Sequence, residues 1–145
     1  MKFRFEAILK LRKNKENAAQ KVLATVNAHL LKQQDQLALM ENIETKSETD
    51  LNGRMNQGAS IPMLMLYDDF FKGVRYQEKR QSKIIKEVSS QLEVRRSELA
   101  QATAKRRIME FLKERDIQAH NDKMRKLEIE QMDEIGATQW RLKYS

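Results

Sequence analysis

Cysteine is absent from this chain, and helix-breaking residues are scarce, with one proline and four glycines in 145 residues. Without cysteine the chain can form neither disulfides nor thiolate sites, which fits a reducing compartment. Glycine and proline most often end helices, and neither occurs in residues 2–52 or 74–135. They cluster in residues 53–62, so the sequence predicts two long helices joined by one turn.

Apolar and aromatic residues are also limited, at 40% and 6% of the chain, against 34% charged residues. This apolar content is too low to fill a thick globular core, but a seam between two helices needs far fewer apolar side chains. No apolar run is long enough to span a bilayer, and Lys10, Arg12 and Lys13 interrupt the N-terminal stretch before it reaches the length of a secretory signal. We therefore expect a cytoplasmic protein without direct membrane insertion.

Apolar residues recur every seven positions in both predicted helices, a pattern typical of coiled coils. In the first helix the two registers run through Leu9, Leu23, Leu30, Leu37 and Leu51, and through Phe5, Ala19, Val26 and Met40. In the second they run through Leu64, Phe71, Ile85, Leu92 and Leu99, and through Tyr67, Val74, Val88, Ala102 and Met109. Polar residues interrupt the seam at Arg12, Glu16, Gln33, Glu44, Glu78, Gln81 and Arg95. Beyond Met109 the phase shifts, as a stutter would explain.

These patterns predict an all-α fold in which the two helices form an antiparallel coiled-coil hairpin. We expect one domain over residues 1–145, with helix 1 at about 3–54, a turn at about 55–61, helix 2 at about 62–136 and a C-terminal tail at 137–145. Pairing Phe5 with the neighbourhood of Lys113 leaves about 20 to 25 residues of the longer second helix as an overhang of roughly 35 Å.

The formal net charge of +7 is unevenly distributed. Basic residues dominate the first fifteen positions and residues 105–115, which the hairpin brings together, whereas residues 35–50 and 128–134 are acidic. An uneven charge distribution of this kind attracts an acidic partner to the basic end.

Motifs for catalysis are missing from the sequence. There is no phosphate-binding loop, no metal-ligand spacing and no nucleophile motif, and the only histidines are His29 and His120. We therefore expect no enzyme activity and no cofactor.

Several segments, taken in order, resemble the FliJ family of flagellar type III export proteins. The resemblance covers nearly the whole chain and rests on the opening MKFRFEAILKLRKNKENAA, the Leu-rich first helix, LYDDF after the turn, and the later KRRIMEFLKERD and KMRKLEIEQMDEIG. It implies a coiled coil similar to the gamma subunit of rotary ATPases, acting as a non-catalytic stalk of the hexameric flagellar export ATPase. Such a stalk promotes ring assembly and ATP hydrolysis in flagellum biogenesis and motility.

The resemblance also implies contacts with the export gate protein FlhA and with export chaperones, at the inner membrane of the flagellar base. For the ATPase ring we expect contacts from basic residues of the paired termini: Lys10, Arg12, Lys13, Arg106, Arg107, Lys113 and Arg115. For the gate, the matching positions are Gln36, Met40, Ile43, Phe70 and Val74. Where the family often has aromatics on the first helix, this chain has Ile43 and Ser47.

Other functions share these features. An injectisome-type stalk or a structural coiled-coil adaptor would have the same hairpin and charge polarity, and only the opening MKFRF favours the flagellar system. A nucleic-acid-binding coiled coil would use the basic end, but the chain lacks an acid-free basic helix and interleaved aromatics, so no nucleic-acid partner is expected. A weak homodimer through residues 117–135 is a further alternative.

Overall fold

The computed structural model describes residues 2–144, and two helices account for nearly all of them. Helix α1 is Glu6–Gln57 and helix α2 is Ile61–Tyr144, and residues 2–144 contain no strand. The predicted all-α architecture of two long helices is therefore confirmed. The connection is shorter than the expected turn at 55–61, because α1 continues to Gln57 and only residues 58–60 lie between the helices.

Gly58 and Ser60 determine the geometry of this three-residue connection. Gly58 has a φ of 90°, a backbone conformation that side chains disfavour, and its N–H donates to the carbonyl of Met55 at 3.2 Å. Ser60 Oγ accepts from the N–H of Met63 at 3.4 Å, which is the N-cap arrangement for α2. The chain thus ends one helix and starts the next within three residues.

The C-terminal end of α2 differs from the sequence prediction. Residues 137–144, which were expected to form a tail, continue the helix to Tyr144, while Ser145 lies outside the described residues. Gly136 does not end the helix, since a single glycine in a helix costs only about 1 kcal/mol relative to alanine. Trp140 and Tyr144 are one turn apart, and their rings pack at a centroid distance of 5.3 Å.

The chain divides into two compact units, which are described separately. Unit 1 consists of Met1–Ala18 with Ala100–Ser145, and unit 2 of Ala19–Leu99. The single-domain organisation stays a prediction.

Unit 2 is a helical hairpin around a narrow apolar seam. Its core consists of Leu30, Val88 and Leu92, each at most 9% exposed, with further apolar side chains packed against it: Leu23, Val26, Ile84 and Ile85. Gln81 is also buried, and its Nε2 donates to the backbone carbonyl of Gln33 at 2.9 Å and to the Gln33 side-chain oxygen at 2.7 Å. Gln33 and Gln81 are polar interruptions of the apolar seam, one on each helix. Because they meet in one layer of the seam, the buried Gln81 amide has hydrogen-bond acceptors.

The contacts of unit 2 run in opposite directions along its two helices. Gln33 meets Gln81, Glu44 meets Arg75, and the Tyr67 hydroxyl donates to Asp50. Because the residue number rises on α1 while it falls on α2, the pairing is antiparallel, as the sequence predicts.

Unit 1 packs the start of the chain against the middle of α2. Phe3 is 7% exposed and Leu9 is 2% exposed, so both are buried. Lys113 pairs with Glu6 and Arg106 with Glu16, which again gives antiparallel contacts. Every residue from 123 to 144 is exposed.

The seven-residue registers predicted from the sequence match the burial of the side chains. Every apolar position named for the two registers through Met109 is buried or half-buried, apart from Phe5, which is 37% exposed. The seam is therefore the coiled-coil seam that the periodicity predicts.

Candidate functional site

Seven basic residues, expected to meet an acidic partner, all lie in unit 1 and form what we call the basic surface. They are Lys10, Arg12, Lys13, Arg106, Arg107, Lys113 and Arg115. The structure divides them into two groups: Lys10, Lys13, Arg107 and Arg115 are exposed, whereas Arg12, Arg106 and Lys113 are half-buried. Packing α2 beside the start of α1 brings both predicted basic segments into one unit.

Arg106 forms the strongest internal contact of this surface. Its Nε donates to Glu16 Oε2 at 2.6 Å and its Nη1 donates to Glu110 Oε2 at 2.6 Å, with only 20% of the Arg106 side chain exposed. The hydrogen bond from Arg106 lowers the pKa of Glu16, assisted by Thr103, while burial opposes the shift. Both carboxylates in turn raise the pKa of Arg106. Arg106 therefore joins the two helices.

Lys113 also has a partner within the chain. Its Nζ lies 3.1 Å from Glu6 Oε2, in a largely exposed pair at the beginning of α1. Such a pair contributes little to stability, because solvent screens it. In contrast, Lys10, Lys13, Arg107 and Arg115 form no ion pair within residues 2–144. Their charges point to solvent and are available to a partner.

The second predicted surface lies entirely in unit 2, and we call it the gate surface. It consists of Gln36, Met40, Ile43, Phe70 and Val74. Met40 and Val74 are half-buried positions of the seam, while Gln36, Ile43 and Phe70 are exposed. The exposed members can meet a partner without opening the helix pair.

A shallow groove next to Phe70 adds residues that the sequence analysis missed. Its walls are Ser47, Asp50, Leu66, Tyr67 and Phe70. Leu66 is 70% exposed and lies outside both heptad registers, so the periodicity that identifies the seam gives no signal for it. Within the groove, the hydrogen bond from Tyr67 lowers the pKa of Asp50 and raises that of Tyr67 itself.

Two glutamates face each other across the seam of unit 2. Oε1 of Glu78 is buried without a hydrogen-bond partner. Interaction with the Glu44 carboxyl, burial, and repulsion from Glu44 and Glu41 raise the pKa of Glu78 to about 7, while Arg75 opposes this rise. Interaction with Glu78, together with Arg75, lowers the pKa of Glu44, whose Oε1 accepts from Arg75 Nε at 3.3 Å. Sharing of one proton between the two carboxyl groups would account for these opposite shifts.

Residues 2–144 contain neither a cluster suited to a metal ion nor a membrane-spanning helix. Within this range no three or more His, Cys, Asp and Glu side chains are grouped to hold a metal ion. Nor does either helix, over the same residues, combine the length and apolar content needed to cross a bilayer.

The geometry defines a class of protein, an all-helical chain whose two long helices pair antiparallel within each unit. A comparison with protein families matches the flagellar FliJ protein family over residues 1–145. The chain therefore belongs to the FliJ family, which confirms the resemblance seen in the sequence and implies a role related to flagellar protein export. No curated protein and no solved structure matched the chain.

The Glu44–Glu78 contact predicts a pH-dependent stability. The pKa of Glu78 is raised from 4.5 to about 7, so the folded chain holds this proton more tightly than the unfolded chain. Stability should therefore fall as the pH rises from about 4.5 to about 7 and then level off. The lowered pKa of Glu44 gives the opposite slope, but only below 4.5.

Glu78→Gln removes this titration while keeping the shape of the side chain. We expect the variant to lose the slope in that window and to melt at a higher temperature than the native chain above pH 7. Circular dichroism melts across the pH range measure both effects. The exposed Glu87→Gln serves as the matched control and should keep the native slope. An unchanged slope in Glu78→Gln would contradict the proton-sharing pair.

Proposed function

We propose that this protein is the non-catalytic stalk of the flagellar type III export ATPase, seated in the ATPase ring by the basic surface of unit 1. Family membership supports the export role. The observation that carries the seating is that Lys10, Lys13, Arg107 and Arg115 stay exposed and unpaired within residues 2–144. The ring residues that meet them are expected to be acidic, since like charges would repel.

The ion pair of Arg106 would give this end the stiffness that a stalk needs. Arg106 links Glu16 of α1 to Glu110 of α2, so its role is to hold the helices together. The more exposed pair of Lys113 with Glu6 adds little to this. A stiff helix pair can touch several ring subunits at once. Charge contacts that differ between nucleotide states would then shift the populations of those states and so promote ring assembly and ATP hydrolysis.

The last part of α2 projects, in this proposal, beyond the pairing with α1. Full exposure of residues 123–144 supports an overhanging C-terminal helix, the feature by which the fold would resemble the gamma subunit of rotary ATPases. The basic surface and the overhang together would enter the ring.

Unit 2 would connect the ATPase to the membrane export gate. Gln36, Ile43 and Phe70 are the exposed members of the gate surface, and the groove beside Phe70 adds Leu66 as an apolar contact. Met40 and Val74 would support this surface from the seam. We propose FlhA as the partner here, with export chaperones as further partners, and a location in the cytoplasm at the inner membrane of the flagellar base. ATP hydrolysis belongs to the ring subunits, and the stalk needs no cofactor.

Charge reversal tests the seating in the ring. The triple variant Lys10→Glu, Lys13→Glu and Arg107→Glu should fold normally, because all three side chains are exposed, but should lose stimulation of the flagellar export ATPase. The measurement is ATP turnover by the purified ATPase with increasing amounts of native or variant protein. Each reversal removes an attractive contact and adds a repulsive one.

A second triple variant controls for the change in net charge. Lys79→Glu, Arg80→Glu and Lys83→Glu reverses three exposed charges in unit 2 and should stimulate like the native chain. Equal stimulation by native chain and both folded variants would move the contact away from the basic surface. No stimulation by the native chain would argue against the stalk role itself.

The gate proposal is tested by removing one aromatic ring. Phe70→Ala should weaken binding to the isolated cytoplasmic part of FlhA by at least about tenfold, because a central aromatic contributes about 1.4 kcal/mol or more to an interface. Tyr76→Ala is the matched control, since Tyr76 is an exposed aromatic of the same helix and unit. Binding measured by calorimetry that is equal for all three proteins would exclude Phe70 from the contact.

A further inference from the structure

A line of apolar side chains follows the exposed end of α2 within unit 1, and we call it the terminal stripe. It consists of Ile117, Met124, Leu127, Met132, Ile135 and Leu142, which are between 41% and 77% exposed. At 3.6 residues per turn, four of them, Ile117, Met124, Ile135 and Leu142, lie within about 20° of one another around the helix. Leu127 and Met132 lie on either side of that line.

No part of unit 1 covers the stripe over residues 123–144, all of which are exposed. Glu128 and Gln131 interrupt the apolar line on the same face, but an exposed apolar line of this length on a helix still indicates an interaction site. The residues that cover it must supply a matching apolar line and compatible charges.

The spacing of the stripe is symmetric about one point, midway between Ile129 and Glu130. On either side of this point Leu127 mirrors Met132, Met124 mirrors Ile135, and Ile117 mirrors Leu142. A two-fold axis through the midpoint would therefore lay each apolar residue against its mirror residue in a second copy. Self-complementarity of this kind is what an isologous dimer interface requires.

Charges beside the stripe favour the antiparallel orientation. Lys123 and Glu134 lie on the same flank of the stripe, as do Asp116 and Arg141. Antiparallel pairing brings Lys123 of one copy close to Glu134 of the other, and Asp116 close to Arg141, with each pair formed twice. Parallel pairing would instead align the basic residues 123–126 of both copies, and likewise the acidic residues 128–134, which is unfavourable.

We propose that this protein self-associates through the terminal stripe, forming a symmetric antiparallel homodimer of the C-terminal part of α2. The stripe covers 26 residues, or roughly 39 Å of helix, and a helix is about 10 Å wide. The flat footprint is therefore about 400 Å² per copy, or about 800 Å² in total, which is the size of a weak, reversible contact. The dimer and the proposed seating in the ring would use the same end of α2, so one chain could not form both contacts at once. The test of the dimer does not depend on the ATPase, because it needs only the chain itself.

Cross-linking through single cysteines tests both the contact and its orientation, since the native chain has no cysteine. Glu128 lies on the stripe face next to the proposed axis, so Glu128→Cys should form covalent dimers with a short bis-maleimide. Asn121→Cys, on the same face but roughly 25 Å from its mate in the antiparallel dimer, should not. Cross-linking of both variants would indicate parallel pairing and overturn the proposed orientation, and cross-linking of neither would exclude the dimer.

Sedimentation velocity provides the second measurement. The native chain should sediment faster as its concentration rises through the micromolar range, whereas Ile135→Glu, which places a charge in the stripe, should stay monomeric. Ile108→Glu is the matched control, because Ile108 is 59% exposed on the opposite face of the same helix, and it should associate like the native chain. A native chain that stays monomeric, or equal association by both variants, would overturn the proposal.

Discussion

The matching of polar side chains across the helix seam is the constraint on which the rest of the structure depends. A seam of apolar residues alone would allow the helices to slide by a heptad, since every layer would offer similar packing. In unit 2 the buried Gln81 amide finds both of its acceptors on Gln33. In unit 1 Arg106 finds Glu16. A shifted register would leave these groups buried and unpaired, which costs more than the loss of a hydrogen bond.

This constraint also separates the structural charges from the charges available to partners. Arg106 and Lys113 belong to the predicted basic surface, yet each has a carboxylate partner on α1. The exposed Lys10, Lys13, Arg107 and Arg115 have no such partners in residues 2–144. The fold therefore uses two basic side chains for contacts between the helices of unit 1 and leaves the others on a surface that can meet an acidic protein.

Much of the fold could be predicted from the sequence, because heptad periodicity is a local signal. Spacing alone assigns Leu30 and Leu92 to the seam, and both are buried. The pairing of Arg106 with Glu16 cannot be read in the same way, because it joins residues 90 positions apart and depends on the relative register of two helices. Leu66 lies outside the heptads and so gives no periodic signal. From the sequence, helix 2 was expected to end at Gly136, but the helix continues through residues 137–144.

A charge-swap experiment on the Glu16–Arg106 pair tests the polar register most directly. Glu16→Arg and Arg106→Glu each place like charges together in a half-buried site, so each should lower the melting temperature measured by circular dichroism. The double variant restores opposite charges and should recover a large part of that loss, although the new carboxylate at position 106 would then face Glu110 one turn away. If the two losses simply add, the two side chains do not meet and the register described for unit 1 is wrong.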